Sequence, residues 1–186
     1  MILRILGVCL GLAMAAQAAA DTLDINLHNK ALRATYARPV GDSQGLNMDV
    51  GLLYSRKYSD NGYVLHGGLQ VAGMNWSEQG DFSISLGGRA VYVDIGSFDG
   101  GHVAFGGNVR FSPIYRVGFN AALYYAPEIT SFMDADSYTE WSLSADYQVV
   151  EQAFVYVGYR EVKVGVDKGG SFKLDNRAHV GVRMNF

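Results

Sequence analysis

The 186-residue chain holds 15 Lys and Arg against 18 Asp and Glu, with 23 glycines, three prolines and one cysteine. Without a basic excess it lacks the electrostatic footprint of a nucleic-acid-binding protein. A single cysteine excludes a disulfide framework and a thiolate metal centre.

That cysteine, Cys9, falls in the first segment. Met1 to Ala20 carries Arg4, then an apolar stretch to about Ala15, then the small residues Ala16-Gln17-Ala18-Ala19-Ala20. This is the pattern of a secretory signal peptide, too short to span a bilayer, and it is set aside from fold reasoning. The apolar region before Cys9 is too short for a lipoprotein signal. Residues 21–186 remain as one domain, with 14 basic and 18 acidic residues once Arg4 is removed. No later apolar run is long enough for a transmembrane helix.

Period-two alternation replaces helical periodicity throughout. Leu23, Ile25 and Leu27 alternate with polar residues, and after a turn at His28-Asn29-Lys30 so do Leu32, Ala34 and Tyr36. Beyond the turn cluster Pro39–Gly45, a stripe of Leu46, Met48, Val50, Leu52 and Tyr54 opposes Asn47, Asp49, Gly51 and Ser55. The turn formers Ser59-Asp60-Asn61-Gly62 follow. Then Tyr63, Leu65, Leu69 and Val71 oppose His66, Gly68 and Gln70, and Asn75–Asp81 turns the chain. Ile84, Leu86, Ala90 and Tyr92 oppose Ser85, Gly87, Arg89 and the less polar Val91. A loop is expected over Gly96–Gly101. Val103, Phe105, Val109 and Phe111 then oppose Asn108 and Arg110, with a turn at Ser112–Arg116.

Val117, Phe119, Ala121, Leu123 and Tyr125 oppose Gly118, Asn120 and Tyr124. A longer loop, Pro127–Ser137, leads to Trp141, Leu143, Ala145 and Tyr147 against Glu140, Ser142, Ser144 and Asp146. After Glu151-Gln152, Val155, Val157 and Tyr159 oppose Tyr156, Gly158 and Arg160. A loop at Val166–Ser171 precedes the last strand, where Ala178, Val180, Val182, Met184 and Phe186 alternate with Arg177, His179, Gly181, Arg183 and Asn185.

About ten such segments, near the roughly 9–11 residues of a tilted membrane strand, predict an all-β chain. The expected fold is a closed antiparallel transmembrane β-barrel of ten strands. Eight strands with an N-terminal flap from residues 22–38 is the alternative. Its oily faces would meet outer-membrane lipid. Tyr54, Tyr92, Tyr125, Trp141 and Tyr159 stand where an interfacial girdle belongs. The terminal strand ending on Phe186 resembles the signal read by the bacterial barrel-assembly machinery.

The inward face collects Arg33, Asp49, His66, Arg89, Arg110, Glu140, Asp146, Arg160, Arg177, His179 and Arg183 as lumen-lining candidates, with Gln70, Asn108 and Asn120 beside them. A narrow barrel is filled by its own side chains, so mutual pairing is the first expectation. The second is that the arginines line a path for anions. No spacing ties Ser85, Ser142 or Ser144 to His66 or His179, so no enzyme is expected. Scattered histidines predict no metal or cofactor. Asp134 and Asp136 lack the calcium-loop pattern.

Leu123-Tyr124-Tyr125-Ala126-Pro127-Glu128, Tyr138-Thr139-Glu140-Trp141 and Val157-Gly158-Tyr159-Arg160 together resemble the YfaZ family of outer-membrane proteins. The similarity extends over the mature chain, including Gly87-Gly88-Arg89 and the terminal strand. The resemblance implies a small Gram-negative outer-membrane barrel, described as porin-like, and transfers no site residues. Two functions are therefore expected first, a narrow porin-like channel or a passive envelope component. A structural or adhesion barrel acting through its loops is the next expectation, and a lipid-modifying enzyme the last.

Overall fold

The computed structural model describes residues 21–41, 45–56, 61–76, 81–96, 98–166 and 170–186. The expected signal peptide lies outside these residues. The strands are β1 (Thr22–His28), β2 (Ala31–Pro39), β3 (Leu46–Ser55), β4 (Gly62–Trp76), β5 (Asp81–Ile95), β6 (Phe98–Ile114), β7 (Val117–Ala126), β8 (Ser131–Met133), β9 (Ala135–Val150), β10 (Ala153–Val166) and β11 (Gly170–Asn185). Each pairs antiparallel with its neighbours, β5 with β6, β7 with β9, and β11 with β1. Among the described residues, ten strands thus close a ring, and β8 is a short addition that pairs with β6. β1 and β2 are ring members, which disposes of the eight-strand alternative. Closure leaves no unpaired edge along the wall.

The seam is finished by the first and last described residues. Asp21 N–H donates to the Phe186 carbonyl at 2.8 Å, and Phe186 N–H returns the bond to Asp21 at 2.9 Å. Both termini therefore sit at one end of the barrel, the terminus end, with the turns at 115–116 and 151–152. The turn after β1 and the segment 127–134 lie at the other, the loop end.

Several strands are longer than their apolar stripes predicted. β6 has 17 residues, and β9 and β11 have 16 each, beyond the roughly 9–11 a membrane strand needs. Their ends absorb much of what was expected to be loop or turn. Gly100 and Gly101 are paired with Val93 and Tyr92, Ser112 with Asp81, and Ser137 with Gly165. The Pro127–Ser137 loop itself folds into a 3-10 turn at Glu128–Thr130 and then β8.

Alternation fixes what faces where. Leu52, Leu65, Leu69, Leu86, Phe105, Leu123, Leu143 and Val180 are exposed on the outer wall. A contiguous apolar surface of that extent is foreign to a water-soluble monomer. The girdle residues are on this wall, and Tyr54 stacks near Tyr63 (5.1 Å between ring centroids) and Trp141 near Tyr159 (5.4 Å). A single bulge interrupts the β10–β11 ladder, because Val162 pairs with Asp175 and Lys163 with Lys173. Leu174 is the extra residue, so Leu174 and Asp175 are consecutive and both buried inside.

The register gives a direct test. Val182 is exposed on the apolar wall, whereas Arg183 faces in and lies 3.3 Å from Asp24. Val182→Asp is expected to impair assembly in lipid, and Arg183→Gln to be milder. Lipid-face charges cost about 2–4 kcal/mol for Arg or Lys at mid-bilayer and less for Asp. Folded yield in vesicles, read from unheated gel mobility, checks this; equal damage would contradict the register.

Candidate functional site

The interior is divided along the barrel axis into two zones of opposite chemistry. Toward the loop end most inward side chains are apolar. Leu53, Val64, Val93, Val162, Val164 and Leu174 are each 2 % exposed or less and belong to one packed cluster. Phe98 packs against this cluster, and its ring lies 6.1 Å from that of Phe172. Burying each Val or Leu contributes about 1.5–3 kcal/mol, so a dry plug of this kind is a strong source of stability.

Toward the terminus end the lumen is polar, and every carboxylate there meets a base. Arg33 donates to Glu140, whose other oxygen accepts from Tyr138 Oη at 2.6 Å. Asp49 Oδ2 stands 3.1 Å from Arg89 Nε and 3.2 Å from His66 Nε2, while Oδ1 accepts from Gln70 at 2.6 Å. Arg110 grips Asp146 through both terminal nitrogens, and Asn120 adds a bond at 2.6 Å. Between the two zones, Arg160 donates to Asp175 at 2.6 and 2.9 Å and to Asn26 at 2.8 Å. His28 reaches the other oxygen of Asp175 at 2.9 Å. Such pairs offset the desolvation of each charge, which alone would be costly.

This network surrounds a cavity of about 340 Å³. Its inner limit is Tyr124, which also belongs to the apolar plug, and the Arg89 guanidinium lies 3.8 Å from the Tyr124 ring centroid. Side-chain exposure rises from 2 % at Arg160 to 28 % at Arg110 and 23 % at Arg183. Exposure within the lumen therefore falls from the terminus end toward the plug.

Ten of the eleven lumen-lining candidates are placed in this interior. Arg33, Asp49, His66, Arg89, Glu140, Asp146, Arg160 and His179 are buried, and Arg110 and Arg183 are half-buried at the cavity mouth. Arg177 differs. It is half-buried, and its guanidinium is 3.5 Å from the exposed Asn29 side chain in the β1–β2 turn, away from the network. Sequence reasoning missed Asp175, although it shares the inward parity of Arg177 and His179, because the terminal strand was expected to begin only at Arg177. It also missed the plug, whose inward residues are apolar where alternation led to polar ones being expected, as at Val162 and Val164 beside Glu161 and Lys163.

Of the serines weighed for catalysis, Ser85 bonds Gln70 (2.9 Å) and Asn108 (2.8 Å). His66 is paired with Asp49. A serine–histidine contact does occur elsewhere, at the loop end, where His102 Nδ1 is 2.9 Å from Ser131 Oγ. The Ser131 proton is directed to the Pro127 carbonyl at 3.0 Å, and His102 Nε2 is buried with no partner. The orienting third group of a hydrolase is thus missing from this pair.

No curated protein matches the chain. Among solved structures, it is similar to the outer-membrane channel DcaP of Acinetobacter baumannii, with a TM-score of 0.44 and 15% identity over 88% of this chain and 54% of that one. The chain spans about half the length of that channel. It is also similar to the translocator domain of the autotransporter NalP from Neisseria meningitidis (TM-score 0.40, 12% identity, 98% of this chain and 94% of that one). A third is the NanC porin (TM-score 0.38, 12% identity, 90% and 98%). A family profile described as YfaZ precursor matches residues 2–186. With the profile spanning nearly its whole length, the chain belongs to the YfaZ family.

Proposed function

We propose that the protein is a small bacterial outer-membrane barrel that serves as a passive envelope component, its lumen sealed at the loop end. The carrying observation is the apolar plug: six inward side chains, each 2 % exposed or less, lie where a porin would keep water. The exposed apolar wall and its aromatic girdle support the membrane location, with outer-membrane lipid as the partner of that wall. The strand ending at Phe186 supports insertion by the barrel-assembly machinery, with the terminus end on the periplasmic side. The paired charges of the polar zone favour a filled interior over an anion path, and the Ser131–His102 contact lacks the parts of a catalyst.

Single-channel recording of refolded protein in a planar bilayer tests the reading. The expected record is silent in protein shown to be folded by its gel mobility. Reproducible steps with anion preference, weakened by Arg110→Ala or Arg160→Ala, would replace it with the porin-like channel.

A further inference from the structure

The terminus-end cavity is a blind polar chamber, and its walls are unevenly equipped. Three carboxylates line it, Asp24, Asp49 and Glu140, with Asp146 held behind Arg110, and each oxygen has a hydrogen bond or, at Asp49 Oδ2, a nearby base. Asp24 Oδ1 accepts from Tyr156 Oη at 2.5 Å and from Asn26 at 3.2 Å, and Oδ2 accepts from Arg183 Nε at 3.3 Å. Asp49, Glu140 and Asp146 are occupied as described above. Five arginines line the same space: Arg33, Arg89, Arg110, Arg160 and Arg183.

A guanidinium offers five N–H donors and no acceptor. Arg33 bonds Glu140 through Nη1 alone, and Arg183 bonds Asp24 through Nε alone. The walls thus hold more donors than their own acceptors can engage. At the inner limit, Tyr124 adds a buried hydroxyl with no hydrogen-bond partner, on a side chain 1 % exposed. A buried hydroxyl left unmatched is costly unless something enters to meet it.

We propose that this chamber is a binding site for a small oxyanion-bearing solute, a carboxylate or a phosphate, that enters from the terminus end. A volume of about 340 Å³ suits inorganic phosphate or a short dicarboxylate. The bound oxygens would take charge-assisted bonds from Arg183 and Arg110 at the mouth and from Arg89 and Tyr124 at the floor. Periplasmic access rests on the membrane orientation given above; the binding itself does not. The site captures a solute without passing it across, since the plug closes the far side.

The test is isothermal titration of the refolded full barrel in detergent micelles, with inorganic phosphate in one arm and succinate in the other, against chloride at matched ionic strength. A saturable one-to-one heat in either arm is expected, and the arm that responds identifies the oxyanion. Arg183→Gln should weaken it about tenfold, as expected for one lost bond to a charged group. Ala122→Phe, which fills the chamber from β7, should abolish it; if that variant does not fold, Arg183→Gln carries the test. Absence of saturable heat in both arms, or unchanged binding by folded Ala122→Phe or Arg183→Gln protein, overturns the site. The outcome is separable from the sealed-barrel reading, because a conducting barrel that binds phosphate and a silent one that binds nothing are distinct results.

Discussion

Glu140→Ala is expected to destabilise the folded barrel by about 3–5 kcal/mol, the cost of leaving a buried charge without its partner. Glu140 is 7 % exposed and Arg33 is 8 % exposed, and the carboxylate also accepts the Tyr138 hydroxyl. Truncation at Glu140 therefore strands a guanidinium and a phenol together. The competing magnitude is that of a solvated pair, about 0–1 kcal/mol. Which applies depends on how far water penetrates past Arg110 and Arg183. Urea unfolding in lipid vesicles, followed by tryptophan fluorescence, measures the difference. A loss below about 1 kcal/mol would mean that the chamber is wet down to Arg33 and that the pair behaves as a surface one. Joint replacement by Arg33→Met and Glu140→Leu should restore most of the loss, since apolar residues of similar volume tolerate the position better than half a pair does.

Gly106→Ala should strongly impair assembly. A Cβ at Gly106 would lie 1.9 Å from the Leu123 carbonyl oxygen and 2.7 Å from the Tyr124 Cα. Its cross-strand partner is Gly87, where a Cβ would lie 2.0 Å from the Leu69 carbonyl oxygen. The obstructing atoms are backbone, so no rotamer change relieves them. The strands themselves would have to separate, in the stretch that presents Tyr124 and Arg89 to one another. The cost is about 3 kcal/mol or more, at or above the upper end of overpacking penalties. Gly67→Ala is the matched control, because its nearest neighbour is the Asp49 carbonyl at 3.9 Å. Folded yield by heat-dependent gel migration should fall for the first variant and stay unchanged for the second. Equal yields would show that the β6–β7 approach is looser than these distances.

These two variants also mark where the sequence was legible. Much of each strand alternates oily and polar residues, so Arg33, Asp49, Glu140 and Asp146 could be assigned inward from parity alone. Their pairing could not. Arg33 and Glu140 are 107 residues apart, and only the register of a closed ring places them together. In the loop-end half the contrast is lost or inverted. Val91 and Val93 flank Tyr92, so an inward apolar residue looks like an outward one, while Val162 and Val164 face in between the outward Glu161 and Lys163. The strands consequently seemed shorter than they are, and the plug was invisible. Asp175 was hidden differently: it keeps the parity of Arg177 and His179, but the last strand was expected to begin at Arg177 and begins at Gly170. Nor does alternation show that Gly87 and Gly106 are where strand backbones come too close for a Cβ.

The bulge at Leu174 also sets where this barrel can change length. Between Asn176 and Met184 each residue is matched to a partner on β10, and from Val180 onward to one on β1 as well. Loss of one residue there would turn Arg183 and His179 toward lipid and Val182 inward. Loss of Leu174 itself would leave that register untouched and merely restore an even ladder, at the expense of one plug side chain and of the carbonyl that accepts the Ser55 hydroxyl at 2.8 Å. Single-residue insertions and deletions within β11 are therefore confined to one tolerant position, an expansion joint in a wall otherwise locked by its own parity.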